Sequence, residues 1–214
     1  MMQDTETFYT LVQQEICARF GKEFTWELKA KMMARKALPA AQMLVGELGL
    51  ADQLTPEEFV TAREQKLQAL FPECQLFPVV RRLVEHLSAA GIPVCVATPS
   101  HRRHFELKTS KHGQLFALFD HIVTGDQVTN GKPAPDILQA ATAAWAPPPS
   151  ADACPVFEDA VLGVQAGVAA GMHACCLAAC RKSGHITSTR QQSLHQVAKP
   201  GGLRAALLGF PPFT

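Results

Sequence analysis

The chain has 214 residues, enough for one ordinary domain, or for a core with a small inserted cap, that buries a hydrophobic interior. Its 20 Lys and Arg residues balance 19 Asp and Glu residues, so its charge gives no footprint for nucleic acid or an anionic membrane. The opening MMQDTETFYTLVQQE lacks the features of a secretion signal, and no later run approaches about 18 apolar residues. We therefore expect a soluble, cytoplasmic protein.

The region from residue 7 to about residue 70 has the pattern of amphipathic helices. Apolar residues recur at helical spacing at its start, at Phe8, Leu11, Val12, Ile16 and Phe20. Breaks at Gly21, Pro39 and Gly49 divide the region into three or four helices. The last of these starts with Thr55 as N-cap and Pro56 in the first turn. No strand is predicted before residue 75.

After Pro78, helices and short apolar strands are predicted to alternate. The predicted helices cover about 79–90, 104–113, 135–145 and 160–171, and the predicted strands cover 92–97, 119–124, 154–157 and 172–178. Such alternation favours an α/β fold with a parallel sheet flanked by helices. The tail after Arg181 is rich in Ser, Thr, Gln, Gly and Pro, and we expect it to pack only in part.

The seven cysteines are predicted to be small buried hydrophobic residues. They are scattered, and several lie in apolar segments such as VCVAT and ACPVF. Cys175, Cys176 and Cys180 form a cluster, but it contains no C-x-x-C pair and would need a better-spaced fourth ligand to bind zinc. A zinc or redox module there is the weakest functional alternative.

Thr98 marks the first segment that could carry chemistry, because it ends a predicted strand and precedes Pro99 and Ser100. Ligands of open parallel sheets bind beyond the carboxyl ends of the strands, so a hydroxyl and nearby backbone N–H groups can hold a phosphate there. Many strands also end in Thr or Ser for capping reasons, so this segment alone does not decide.

Lys132 lies in the segment GKPAPD, residues 131–136, where two prolines stiffen the backbone around one lysine. An ammonium held in a fixed position can neutralise a phosphoryl group as charge develops on it. The alternative is an exposed lysine in a proline-rich turn that leads into a helix.

Glu158 and Asp159 are adjacent carboxylates at the point where an apolar strand is predicted to meet a helix. Neighbouring carboxylates repel, and a hard cation with oxygen ligands accounts for such a pair. Mg²⁺ suits it, because this ion needs few carboxylates and completes its shell with water and phosphate. The alternative is a pair of acids favoured by the dipole of the following helix.

Thr98, Lys132 and the Glu158-Asp159 pair follow successive predicted strands and would meet as a phosphate and magnesium site. With the GKPAPD segment, the FEDA segment and the GVQAG that follows it, the sequence resembles the haloacid dehalogenase (HAD) superfamily. The resemblance covers residues 4 to about 178 and is nearest to the phosphoglucomutase-like branch and its pseudouridine-5'-phosphatases.

The resemblance implies a Rossmann-like HAD core with a parallel sheet and a small α-helical cap. Its expected parts are a remnant of the first motif with a linker (1–9), the cap (10–76), the core (77–180) and a partly packed tail (181–214). It also implies a Mg²⁺-dependent phosphatase in which Thr98 and Lys132 are catalytic and Glu158 and Asp159 bind the metal. The implied partner is a small phosphorylated metabolite, such as the nucleoside 5'-monophosphate pseudouridine 5'-phosphate, and no nucleic acid or membrane; we expect a monomer.

One motif of the family is missing. Its members open with a strand that delivers D-x-D-G-x-x-x-D-T-E, in which the first Asp is the nucleophile and the second is the general acid and base. Here only Asp4-Thr5-Glu6 remains, and no D-x-D sequence occurs elsewhere. We therefore expect a truncated, inactive chain whose core lacks its first strand. The alternative is a non-catalytic protein that binds phosphate and Mg²⁺ to regulate a partner.

Overall fold

The computed structural model describes residues 3, 5–32 and 37–176. Within them the chain forms two compact units, one from Gln3 to Gln75 and one that begins at Leu76. The residues predicted as a partly packed tail, 181–214, lie outside the described residues, and so does Cys180. Among the helices of the described residues, none combines the length and the apolar character needed to cross a membrane.

The first unit is helical, as the periodicity of its apolar residues predicted. Its helices are α1 (Glu6–Ala18), α2 (Trp26–Met32), α3 (Ala37–Glu47) and α4 (Pro56–Leu70), followed by a 3₁₀ turn at Phe71–Glu73. Helix α4 packs against α1 and α3. The largest fully buried side chains of the first unit are Ile16, Leu44, Leu50, Phe59, Leu67 and Phe71.

Two local predictions for this unit have different outcomes. The start of α4 is confirmed, because Thr55 accepts a hydrogen bond from the Glu58 backbone while the Glu58 carboxylate accepts one from the Thr55 backbone. The predicted break at Pro39 is wrong, because this proline lies inside α3, close to its start. The first turn of a helix tolerates proline because its N–H groups have no partner within the helix.

The second unit alternates helices with short strands, as predicted. Its elements are α5 (Pro78–Ala89), β1 (Cys95–Thr98), α6 (Arg102–Thr109), α7 (Gly113–Phe116), β2 (His121–Thr124), α8 (Asp136–Ala143), β3 (Pro155–Glu158), α9 (Val161–Ala169) and β4 (His173–Cys176). The single helix predicted for 104–113 is wrong in one respect, because Gly113 begins a second helix instead of ending the first.

The strands pair in parallel but form two separate ribbons in the described residues. Strand β1 pairs with β2, and β3 pairs with β4. Both ribbons share one apolar cluster, in which Ile137 and Leu138 of α8 and Ala166 of α9 lie with Ala97 of β1 and Val156 of β3. The carboxyl ends of the strands, where ligands of such sheets bind, hold the residues described next.

Candidate active site

The turn that follows β1 is held by three hydrogen bonds that involve Ser100. Its backbone N–H donates to Thr98 Oγ1 over 3.2 Å, and its carbonyl accepts from the Gly125 N–H over 3.0 Å. Its hydroxyl oxygen accepts from Lys108 Nζ over 3.2 Å. The Thr98 oxygen thus already accepts one hydrogen bond, and its hydroxyl hydrogen can serve an acceptor outside the turn.

Gly125 is required for the close packing of this turn. A Cβ atom added there would stand 2.8 Å from the Pro99 carbonyl carbon, closer than real Cβ atoms approach a neighbour. The loop after β2 therefore presses directly on the loop after β1. This contact restricts the position of the turn that contains Thr98 and Ser100.

Lys132 joins the two ribbons at their carboxyl ends. Its Nζ lies 3.4 Å from the Ala97 carbonyl oxygen of β1 and forms an ion pair with the Glu158 carboxylate of β3. Both side chains are largely shielded from water, with exposed fractions of 11% for Lys132 and 12% for Glu158. A charge pair in such a place is screened little by solvent, so the ammonium position is well defined.

Glu158 is held in place by the first turn of α9 as well as by Lys132. A Cβ atom on Gly163 would stand 2.5 Å from each Glu158 carboxylate oxygen, so the carboxylate lies against the bare glycine backbone. The glycine at this position leaves the room in which the carboxylate can face Lys132. The GVQAG segment that Gly163 begins does not by itself predict this role.

The structure brings three of the predicted site residues to one place and puts the fourth beside them. Thr98 adjoins Ala97, which Lys132 contacts, and Lys132 binds Glu158. Asp159 directly follows Glu158 and is half-buried. Lys108 was missed: it is buried, although a lysine in a polar helix is ordinarily expected to face water.

The fit of a metal ion can be tested on these carboxylates. The residues that the structure describes contain no cluster of three or more His, Cys, Asp or Glu side chains placed to hold a metal. One oxygen of Glu158 pairs with Lys132, and Asp159 supplies the adjacent carboxylate. Mg²⁺ commonly binds through one or two carboxylates together with water and phosphate, so this donor set fits it.

The cysteines behave as buried hydrophobic residues where they are described. Cys17, Cys74 and Cys175 are buried, Cys95 and Cys154 are half-buried, and all five are free thiols. Burial raises the pKa of Cys17, Cys95 and Cys175 to about 11. Metal ligation needs the thiolate, which such surroundings disfavour.

Comparison with known proteins bears on the whole arrangement. A family model described as a haloacid dehalogenase-like hydrolase matches residues 4–171. The chain is 50% identical over 176 residues to "(DL)-glycerol-3-phosphatase 1, mitochondrial" of Arabidopsis thaliana. The aligned residues make up 81% of this chain and 59% of that protein. It thus spans less than two thirds of that relative's length.

Two further similarities extend over nearly the whole chain. A Drosophila melanogaster protein named "Probable pseudouridine-5'-phosphatase" is 36% identical over 217 residues, which covers 100% of this chain and 92% of that protein. The crystal structure of a HAD family hydrolase from Deinococcus radiodurans, with bound phosphate and sodium, superposes with a TM-score of 0.73. The superposition covers 99% of this chain and 93% of the Deinococcus chain. At 24% sequence identity, this similarity concerns the fold alone.

Proposed function

The chain belongs to the haloacid dehalogenase-like hydrolase family, and from this premise we propose that its second unit carries the phosphate-binding site of a phosphomonoester hydrolase. The observation that carries the proposal is the position of Lys132. Its ammonium bridges the carboxyl ends of β1 and β3 through the Ala97 carbonyl and the Glu158 carboxylate. Thr98 and Asp159 directly follow the two residues that Lys132 contacts, Ala97 and Glu158.

The residues of this region have complementary roles toward a phosphoryl group. The Thr98 hydroxyl accepts from the Ser100 N–H and donates its own hydrogen to a phosphoryl oxygen. Lys132 neutralises negative charge on the phosphoryl oxygens, and Glu158 keeps the ammonium in place. Such preorganised charge acts strongly where little water is present.

We propose that Glu158 and Asp159 are the protein ligands of a Mg²⁺ ion. When bound, the ion would neutralise and orient the phosphate. Exchange of Asp159 for Asn is expected to weaken the dependence of phosphate binding on Mg²⁺, whereas exchange of Glu158 for Gln is expected to displace Lys132 as well.

The resemblance implies that an aspartate attacks phosphorus and forms a covalent intermediate. The 214 residues contain no Asp-x-Asp sequence that could provide this nucleophile and a second acid near it. We therefore propose that a polypeptide of this sequence binds phosphomonoesters without turning them over. Loss of a nucleophile lowers turnover on the order of a millionfold in the best-studied case.

The experiment that tests the proposal compares two proteins side by side. One has the sequence given, and the other carries an apolar strand ending in Asp-Met-Asp-Gly-Leu-Leu-Leu ahead of Asp4. Mg²⁺-dependent phosphate release is measured with pseudouridine 5'-phosphate and with glycerol 3-phosphate, the substrates that the names of the two relatives suggest. We expect release by the extended protein alone, abolished when Lys132 is exchanged for Met.

Activity of both proteins would show that another carboxylate serves as nucleophile. An inactive extended protein that still binds phosphate would remove the catalytic part of the proposal. The two substrates address the substrate class, because the nucleotide is much larger than glycerol 3-phosphate. Preference for the nucleotide would support the implied nucleoside 5'-monophosphate.

A second candidate function is a regulatory protein, which binds phosphate and Mg²⁺ without catalysis in order to act on a partner. It is favoured by one observation: the binding residues are held together although the sequence has no Asp-x-Asp. A ligand that binds the native state raises its stability. Addition of Mg²⁺ with nucleoside monophosphates should therefore raise the melting temperature of the chain as given, and an unchanged value would exclude this function.

A further inference from the structure

Lys108 is a buried lysine at the edge of the proposed phosphate site. It lies in the last turn of α6, and only 8% of its surface is exposed. Lysine side chains usually extend their ammonium groups into water, so burial of one requires a polar partner. Its Nζ donates to the Ser100 hydroxyl oxygen over 3.2 Å, two residues beyond Thr98.

The turn that Lys108 contacts is short of backbone donors. Anion sites at strand and helix ends commonly use backbone N–H groups. Pro99 has no N–H, and the N–H of Ser100 already donates to Thr98 Oγ1. A phosphate above this turn therefore depends on side chains for the hydrogen bonds that the Pro99 and Ser100 backbone does not supply.

We propose that Lys108 is a positioning residue for the phosphate, and that it acts through the Ser100 hydroxyl. An ammonium group can only donate, so the Ser100 oxygen is the acceptor and its own hydrogen is directed elsewhere. The hydroxyl then donates to a phosphoryl oxygen, in place of the N–H that Pro99 lacks. This inference rests on the proposed function, because it concerns the same phosphate.

The arrangement around Ser100 supports a fixed donor. The Ser100 carbonyl accepts from the Gly125 N–H over 3.0 Å, and Gly125 packs closely against Pro99. Ser100 is thus held by its backbone on one side and by Lys108 on the other. A donor that needs no reorganisation contributes more to binding than one that must first be ordered.

The competing role for Lys108 is structural. A lysine in the last turn of a helix interacts favourably with the helix dipole, and its stem packs against apolar neighbours. Such a role predicts a loss of stability on substitution without a change in the affinity of the folded protein for phosphate. It also predicts no energetic dependence on Ser100.

The test is titration calorimetry of the chain as given with inorganic phosphate in the presence of Mg²⁺. The variants are Lys108→Met, Ser100→Ala and the double variant, with Lys111→Met, an exposed lysine nearby, as matched control. Lys132→Met reports on the proposed site itself. Ser100→Ala removes only a hydroxyl, so it keeps the test decisive if Lys108→Met folds poorly.

We expect Lys108→Met and Ser100→Ala each to weaken phosphate binding about tenfold. The double variant should be no weaker than either single variant, because both changes remove the same hydrogen bond. Lys111→Met should stay within about twofold of the parent protein. Unchanged affinity in Ser100→Ala, or losses in the two single variants that simply multiply, would overturn the inference.

The outcomes separate this inference from the proposed function. Binding that is lost in Lys132→Met but intact in Ser100→Ala and Lys108→Met would leave the proposed site standing and remove the role of Lys108. If the parent chain does not bind phosphate and Mg²⁺ at all, the proposed site is wrong, and the inference falls with it.

Discussion

Exchange of Gly125 for alanine is expected to impair both the stability of the second unit and its affinity for phosphate. The added methyl group would stand 2.8 Å from the Pro99 carbonyl carbon and closer still to its oxygen, whereas ordinary contact begins at 3.4 Å. The obstructing atoms belong to the backbone and cannot rotate away. Either the loop after β2 or the turn that holds Thr98 and Ser100 must move.

The expected loss of folding stability follows from the kind of steric clash. Overpacking of a well-packed site costs about 1–3 kcal/mol. For a domain of this size, each kcal/mol lowers the melting temperature by roughly 2–4 °C, so the expected decrease is about 2–12 °C. Displacement of the turn also stretches the hydrogen bond from the Gly125 N–H to the Ser100 carbonyl. We expect phosphate affinity to fall about tenfold, since donors must lie within hydrogen-bonding distance of the phosphoryl oxygens.

Thermal unfolding followed by circular dichroism measures the first effect, and phosphate titration of the folded variant measures the second. Gly113→Ala is the matched control, because a Cβ atom there meets nothing within 4 Å. A Gly125→Ala protein that melts within about a degree of Gly113→Ala and binds phosphate equally well would contradict the close packing of this turn.

Three further predictions concern other parts of the chain. Gly163→Ala should lower phosphate affinity, because the new methyl group displaces the Glu158 carboxylate from its ion pair with Lys132. Hydrogen bonds from the Thr55 backbone and hydroxyl lower the pKa of Glu58, so its ionised form stabilises the first unit above the pKa of an ordinary glutamate. Urea unfolding should show that the advantage over Glu58→Gln is lost as the pH falls through the lowered pKa. Burial raises the pKa of Cys17 to about 11, so near pH 8 its alkylation should be on the order of a hundredfold slower than in urea.

Control variants in the same chain accompany the first two of these predictions. Gly46→Ala places a methyl group in open space within α3 and should leave phosphate binding unchanged. Glu57→Gln changes the neighbouring acid of the same helical turn and should not reproduce the pH dependence of Glu58→Gln. Equal phosphate affinity in Gly163→Ala and Gly46→Ala would contradict the role given to the Glu158 position. Alkylation of Cys17 at the same rate in the native and the unfolded protein would contradict its burial.

The order of helices and strands could be read from the sequence because both depend on local patterns. Apolar runs bounded by Gly and Pro predicted the four strands of the described residues near their observed positions, and Thr55 with Pro56 predicted the start of α4. The sequence therefore predicted that Thr98, Lys132 and Glu158 lie at or near the ends of strands. Pro39 was misread because a proline breaks a helix in its interior but not in its first turn.

The contacts within the site could not be read in the same way. Lys132 and Glu158 are 26 residues apart, and their ion pair depends on how two ribbons approach each other. Lys108 lies in a helix with many polar residues, in which nothing local distinguishes a buried lysine from an exposed one. The positions of such side chains depend on tertiary packing, which the local periodicity of apolar residues does not predict.

The division of the sheet is the feature that links fold and function most directly. In the described part of the chain, β1 pairs with β2 alone and β3 with β4 alone. Parallel strands of α/β proteins are normally buried on both faces, whereas Val156 and Phe157 of β3 are half-buried. Yet Lys132 contacts the carboxyl ends of both β1 and β3, so these two strands are near neighbours.

One further parallel strand between β1 and β3 would pair with both. Its carboxyl end would lie between Thr98 and Glu158, from which an aspartate could reach a phosphate held by Lys132. The extension described for the activity experiment should therefore also raise the melting temperature, since it supplies a strand partner to β1 and β3, which pair with β2 and β4 alone in the described residues. This gain should persist when the first aspartate of the extension is replaced by asparagine, because strand pairing does not need that carboxylate. Equal melting temperatures with and without the extension would show that it does not enter the sheet, and activity would then need another explanation.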